Sequence, residues 1–243
     1  MVRLYTIILM MLFARSGFAQ YTDSTTHYSS FATSGSVNKA DGTSSYLLNN
    51  AVKLGLKQKS ISLNFTNTWI YGKQNKAITN NDFSSTLDFN LYKTLPHFFY
   101  WGLANYNTSY SLKINNQLLA GAGIAYSILD RPTAYLNLSN GLLYDYSDLV
   151  LSDGFQDKYS TSRNSFRLSY KFLIGKFIEV NGSNFIQNSL KDQHDYIIRS
   201  NNKLGFKVNK WINLLTQLDY NKMNRTSKEN LLLSYGISFD RYF

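Results

Sequence analysis

The chain has 243 residues, with 25 Lys and Arg against 15 Asp and Glu for a formal charge of +10; Tyr (19) and Phe (16) are abundant, Pro (2) is scarce and Cys is absent. Without cysteine there can be no disulfide and no thioether lipid anchor, and no Cys/His cluster is available to hold a metal. No segment beyond the first twenty residues approaches the roughly 18 continuous apolar residues of a spanning helix, so any membrane crossing must be made by strands, whose period-2 alternation averages to a negative mean hydropathy.

The N-terminus reads as an export signal. Arg3 precedes an apolar run from Leu4 to Phe13, and Gly17-Phe18-Ala19 is a small-x-small cleavage site. At about 1.5 Å per residue that run falls well short of a hydrocarbon core of about 30 Å, which argues against an anchor. Residues 1–19 are therefore expected as a signal peptide and 20–243 as one barrel domain, the mature chain starting at Gln20 and losing the charges of Arg3 and Arg15. The first strand begins close behind, leaving no room for a globular plug.

From there the sequence alternates. Twelve segments are expected as strands, at about 28–37, 44–57, 59–72, 82–93, 97–108, 115–129, 132–146, 162–174, 176–188, 194–208, 210–223 and 229–243. The apolar parity predicts the outward face: Ile61, Leu63, Phe65, Trp69 and Tyr71 in the third strand, Phe83, Leu87 and Phe89 in the fourth, and Phe99, Trp101 and Leu103 in the fifth. Leu136, Leu138, Leu142 and Tyr144 continue it, as do Phe166, Leu168, Tyr170 and Phe172, and later Leu204, Phe206, Leu214 and Leu218. Trp101, Phe172 and Trp211 would stand in the aromatic girdle at one rim, and Tyr71, Tyr144 and Tyr220 in that at the other.

Connections are expected to be tight after the even strands, where both prolines fall (Pro96 and Pro132), and longer after the odd ones, as in Lys73 to Asn81 and Tyr146 to Thr161. Bacterial barrels keep short turns in the periplasm and long loops outside, so both termini are expected in the periplasm of a Gram-negative cell. Altogether the pattern predicts an all-β chain: a single transmembrane, antiparallel, up-and-down β-barrel of about 12 strands.

The last strand ends the pattern cleanly. Leu231, Leu233, Tyr235, Ile237, Phe239 and Phe243 share one face and Ser234, Gly236, Ser238 and Asp240 the other. Phe243, a terminal aromatic, is the expected assembly signal for the barrel-assembly machinery.

The opposite parity carries charge. Lys53, Arg167, Lys171, Arg199, Lys203 and Lys207 should point inward, with Asp88, Glu179, Asp219 and Asp240. Charges on the lipid face would cost about 2–4 kcal/mol each at mid-bilayer, which favours this assignment. Two consequences stay open. Glu179 and Asp219 could neutralise Arg167, Lys171, Arg199 and Lys203 on neighbouring strands, making a packed structural barrel. Alternatively, the excess of cations could line a narrow passive pore for small anionic solutes.

Other chemistry is thin. Ser189, with His194 beside Asp192 and Asp195, is the best nucleophile and base for a lipid hydrolase at the outer lip, provided the two side chains face each other. A receptor or adhesin using the Tyr146 to Thr161 loop is a third possibility. Gly121-Ala122-Gly123 lacks a following helix and belongs to a strand whose lumen face is kept small, not to a phosphate loop. Lys73 and Lys76 could meet lipopolysaccharide phosphates, other lysines could meet anionic headgroups, and nothing suggests nucleic acid or a cofactor.

The stretch from Phe98 to Asp130 resembles a known family. Tyr100-Trp101, Asn105-Tyr106 and the run LLAGAGIAYSILD from Leu118 to Asp130 are similar to the uncharacterised outer-membrane barrel family typified by the putative salt-induced outer membrane protein of enteric bacteria. The resemblance implies a porin-like barrel and brings no catalytic or ligand residues.

Overall fold

The computed structural model describes residues 26–243, so the expected leader, residues 1–19, lies outside it. Twelve strands follow in order: β1 (His27–Ala40), β2 (Thr43–Gln58), β3 (Ile61–Gln74), β4 (Ala77–Leu95), β5 (Phe98–Ser109) and β6 (Ile114–Arg131). Then come β7 (Ala134–Val150), β8 (Gln156–Ile174), β9 (Ile178–Ser189), β10 (Tyr196–Lys207), β11 (Ile212–Met223) and β12 (Lys228–Tyr242). Each pairs antiparallel with its sequence neighbours, and β1 pairs with β12 to close the barrel. Closure leaves no edge strand, as a spanning sheet requires.

The seam is set by both chain ends. Tyr28 stands opposite Tyr242 and Gly35 opposite Tyr235. His27 and Phe243 exchange backbone hydrogen bonds of 2.9 and 3.0 Å, and their rings stack 5.7 Å apart. Both termini and the turns after even strands therefore lie at one rim, here the terminal rim; the turns after odd strands form the distal rim.

Turn chemistry is local. Asp41-Gly42 and Asn75-Lys76 both have positive φ at their two central residues, the type I′ geometry that matches strand twist. Pro96 followed by His97 at φ +66° suits a type II turn. These turns also correct an expectation: Lys73 to Asn81 is no loop, because β3 and β4 continue to a two-residue turn at Asn75-Lys76. The Tyr146 to Thr161 segment likewise contains only residues 151–155 as loop, since β7 and β8 extend far past the expected bounds. Ladder pairing such as Asp145 with Thr161 satisfies backbone groups that a loop would leave to water.

The outer wall is apolar where alternation predicts it. Leu54, Phe65, Trp69, Leu87, Leu142, Phe166, Phe206, Leu214 and Phe239 are all exposed. A contiguous apolar belt of this extent suits lipid rather than water. The fifth strand is the exception to the expected faces: Phe99 and Trp101 are buried inside the barrel with Leu103 packed against them, while Phe98, Tyr100 and Tyr106 face out. Both parities of β5 are aromatic, so hydrophobicity alone could not choose between them. The glycines opposite did, because Gly123 and Gly141 clear the inner space that the Trp101 ring fills; a Cβ on either would lie 2.7 or 2.5 Å from its Cζ2 atom.

Candidate functional site

The lumen holds the charges that the inward parity carries. A cavity of about 380 Å³ is lined by Lys53, Arg167, Arg199 and Lys203, with Asp82, Asp88 and Asp219 among the carboxylates. Lys171, Glu179 and Lys207 form a cluster in which Glu179 Oε2 takes Lys171 Nζ at 3.2 Å and Lys207 Nζ at 3.5 Å. Asp240, on the terminal part of β12, accepts from Asn213 at 2.7 Å and Tyr28 at 3.2 Å.

Glu179 pairs with Lys171 on the neighbouring strand, whereas Arg167, Arg199 and Asp219 depart from the expected neutralisation by neighbours. Arg167 crosses the lumen from β8 to Asp88 on β4 at 3.0 Å, passing over the Trp101 and Phe185 rings at 5.6 and 5.5 Å. Arg199 spans from β10 to the amide oxygens of Asn105 at 2.8 Å and Gln117 at 2.7 Å, and among the described residues it forms no ion pair. Asp219 is taken up by amides, accepting from Gln217 at 2.6 Å, from Asn49 at 3.4 Å and from Asn201. Among the described residues, Lys53 and Lys203 form no ion pair, although both line the same cavity and repel each other across it. Adjacent strands pair the cations around Glu179, whereas the longer reach of arginine lets Arg167 and Arg199 find their partners across the bore.

The distal rim holds a second assembly that parity readings missed. Arg163 is fully buried, with Nε 2.6 Å from Asp145 Oδ2 and Nη2 2.8 Å from Asp195 Oδ1. Tyr159 accepts from Arg163 at 2.6 Å and lies beneath the Arg225 guanidinium, which pairs with Asp157 at 2.6 Å. Beside this network Ile114, Leu149, Ile197 and Met223 form a buried apolar cluster with Leu112 packed on it. Arg163 lies within the expected eighth strand and shares the parity of Arg167 and Lys171, so the inward rule applied one step further along that strand reveals it. The apolar cluster had no such signal, because inward-facing Leu and Ile read as lipid-facing.

The candidate hydrolytic pair is not assembled. Ser189 Oγ is buried and shares a 2.7 Å hydrogen bond with Thr161 Oγ1, whereas the His194 ring is almost wholly exposed and lies 3.4 Å from Asp192. No hydrogen bond joins Ser189 to His194, so the hydroxyl has no base. Asp195 points the other way, into the Arg163 network.

A closed antiparallel ring with an apolar exterior and a charged, hydrogen-bonded interior defines the class: a twelve-stranded β-barrel of the outer-membrane type. The chain belongs to the family described as protein of unknown function DUF481, whose model matches residues 34–232. No curated protein matches it. Among solved structures it is similar to the NanC porin, at 9% identity and TM-score 0.55 over 86% of this chain and 98% of that one. It is also similar to the translocator domain of autotransporter NalP from Neisseria meningitidis (12% identity, TM-score 0.50, 98% of this chain and 93% of that one). An outer membrane channel from Pseudomonas putida F1 aligns at 11% identity and TM-score 0.50 over 94% and 99% of the two chains. At these identities the likeness is one of fold.

Proposed function

We propose that the protein sits in the bacterial outer membrane as a narrow passive pore for small anionic solutes. The observation that carries this reading is the set of lumen cations without carboxylate partners among the described residues: Lys53 and Lys203 have none there, and the hydrogen bonds of Arg199 go to the neutral amides of Asn105 and Gln117. Buried charges in a merely structural barrel are normally paired. Basic side chains lining a bore favour anions, because they replace part of the hydration an anion gives up on entry.

In this reading the terminal rim faces the periplasm, Phe243 engages the assembly machinery, and Lys73 and the exposed Lys76 at the distal rim meet lipopolysaccharide phosphates. No catalytic step is involved. The short 151–155 connection also offers a receptor or adhesin little surface.

Purified protein in planar bilayers under a potassium chloride gradient tests the proposal. Discrete conductance with a reversal potential favouring chloride is expected, shifting toward potassium in a Lys53→Met, Lys203→Met variant. Conductance that prefers cations in the unmodified protein would overturn the anionic reading. A specific observation, the apolar cluster of Ile114, Leu149, Ile197 and Met223, favours the packed structural barrel as the second reading; persistent silence of every variant would establish it.

A further inference from the structure

The connection between β5 and β6, residues 110–113, does not stand up from the distal rim. It folds inward, with Leu112 packed on the cluster formed by Ile114, Leu149, Ile197 and Met223. Those four residues come from β6, β7, β10 and β11, and β10 stands four strands round the ring from β6. Side chains from separate arcs of the wall therefore meet inside the mouth. A hydrophobic constriction holds little water, and ions do not cross what water does not wet.

Polar contacts hold that connection in place from two sides. On its own side, Asp82 on β4 accepts from the Ser111 backbone N–H at 3.0 Å, from Ser111 Oγ at 2.7 Å and from Ser109 Oγ at 2.8 Å. On the far side, Asn230 Nδ2 donates to Ser111 Oγ at 3.0 Å, although β12 is diametrically opposite β6 in the ring. Ser111 is thus a bridge across the bore. Lys113 closes the connection at φ +59° and its carbonyl accepts from the Val150 N–H at 2.9 Å, while at the other end the Tyr110 N–H donates to the Asn81 carbonyl at 3.3 Å. Between these anchors Ser111 and Leu112 are held by side-chain contacts, the Leu112 N–H donating to Ser109 Oγ at 3.0 Å.

We infer that Ser111 and Leu112 are the gate of this pore: Ser111, latched by Asp82 and Asn230, seats Leu112 on the apolar cluster, and releasing the latch wets the mouth. The inference rests on the pore reading and adds where the bore is shut. Asp82 is suited to the latch because a carboxylate accepting two hydrogen bonds from Ser111 holds that residue more firmly than a neutral partner would. The contacts involve few residues and no strand pairing, so opening would leave the barrel ladder intact.

The chain has no native cysteine, so a locking experiment is clean. Single-channel recording in planar bilayers would compare four proteins: the unmodified chain, Asp82→Ala, Ser111→Cys with Asn230→Cys, and Ile197→Ser with Met223→Ser. Heat-modifiable migration on gels would first establish that each is a folded barrel. Asp82→Ala is expected to open at least several-fold more often than the unmodified chain. The cysteine pair should conduct until a short bifunctional thiol reagent joins it and then fall silent, while the same reagent leaves the unmodified chain unaffected. The serine pair should conduct in steady, long openings. A cross-linked protein that conducts as before, or an Asp82→Ala protein whose openings are unchanged, overturns the gate and leaves the pore standing. Silence of the folded serine pair overturns the pore, and the gate with it.

Discussion

Arg163 Nε stands 2.6 Å from Asp145 Oδ2 with neither side chain exposed, and the same guanidinium reaches Asp195 at the far end of its fork. The three groups come from β8, β7 and the connection that leads into β10. Removing the cation would leave two buried carboxylates facing each other. Arg163→Met should therefore destabilise the barrel by about 3–5 kcal/mol, the usual cost of breaking a buried pair. Urea unfolding in lipid vesicles, followed by tryptophan fluorescence, measures it. Arg163→Lys should recover only part, because an ammonium lacks the fork that serves both carboxylates.

The inward position of Trp101 can be seen directly by lipid contact. Of the three tryptophans, Trp69 on β3 is 44% exposed, Trp211 in the turn at the terminal rim 54% and Trp101 only 4%. Brominated lipids should quench a protein retaining Trp69 or Trp211 alone. A protein retaining Trp101 alone should escape quenching.

Gly141 lies under the Trp101 ring, where an added Cβ would meet Cζ2 at 2.5 Å and the Gly123 Cα at 2.7 Å. With the Ala122 carbonyl oxygen also in the way, two of the three obstacles are backbone, so the strain cannot be relieved by rotating a side chain. Gly141→Ala should cost about 1–3 kcal/mol through overpacking. The same urea titration, with a shift in the Trp101 emission, would show it.

Glu179 serves two cations, Lys171 and Lys207, near the terminal rim. Replacing it by Gln releases both into the bore. Reversal-potential measurements should show a stronger preference for chloride in Glu179→Gln than in the unmodified protein. An unchanged ratio would place this cluster off the ion path.

Phe243 stacks on His27 and exchanges two backbone hydrogen bonds with it, so the terminal aromatic also seals the seam. Phe243→Ala should lower the amount of folded, heat-modifiable protein in the outer membrane fraction. Refolding of the purified variant into detergent should suffer less. A matching loss in both would assign Phe243 to stability and not to assembly.

Much of this molecule was legible from its sequence because inward and outward are local properties of an extended chain. Every charge assigned inward, from Lys53 on β2 to Asp240 on β12, falls on the inward parity of its strand. The fifth strand defeated the same rule, since Phe98 and Tyr100 compete with Phe99 and Trp101 and only the space above Gly123 and Gly141 decides between them. Loop lengths were misjudged for a related reason. Polar segments such as Lys73 to Asn81 looked like loops, yet beyond the apolar belt a strand has no need of grease and its ladder simply continues.

By itself the sequence determined the strand repeat and the apolar exterior, because successive side chains of a strand must point to opposite faces. Tertiary structure alone decided which charges are neutralised and which side chains meet across the ring. Arg167 meets Asp88, Ser111 meets Asn230, and Ile114 and Leu149 meet Ile197 and Met223, only because twelve strands close into a ring narrow enough for side chains to reach across it. Those contacts depend on the diameter and stagger of the closed sheet, which no single strand encodes.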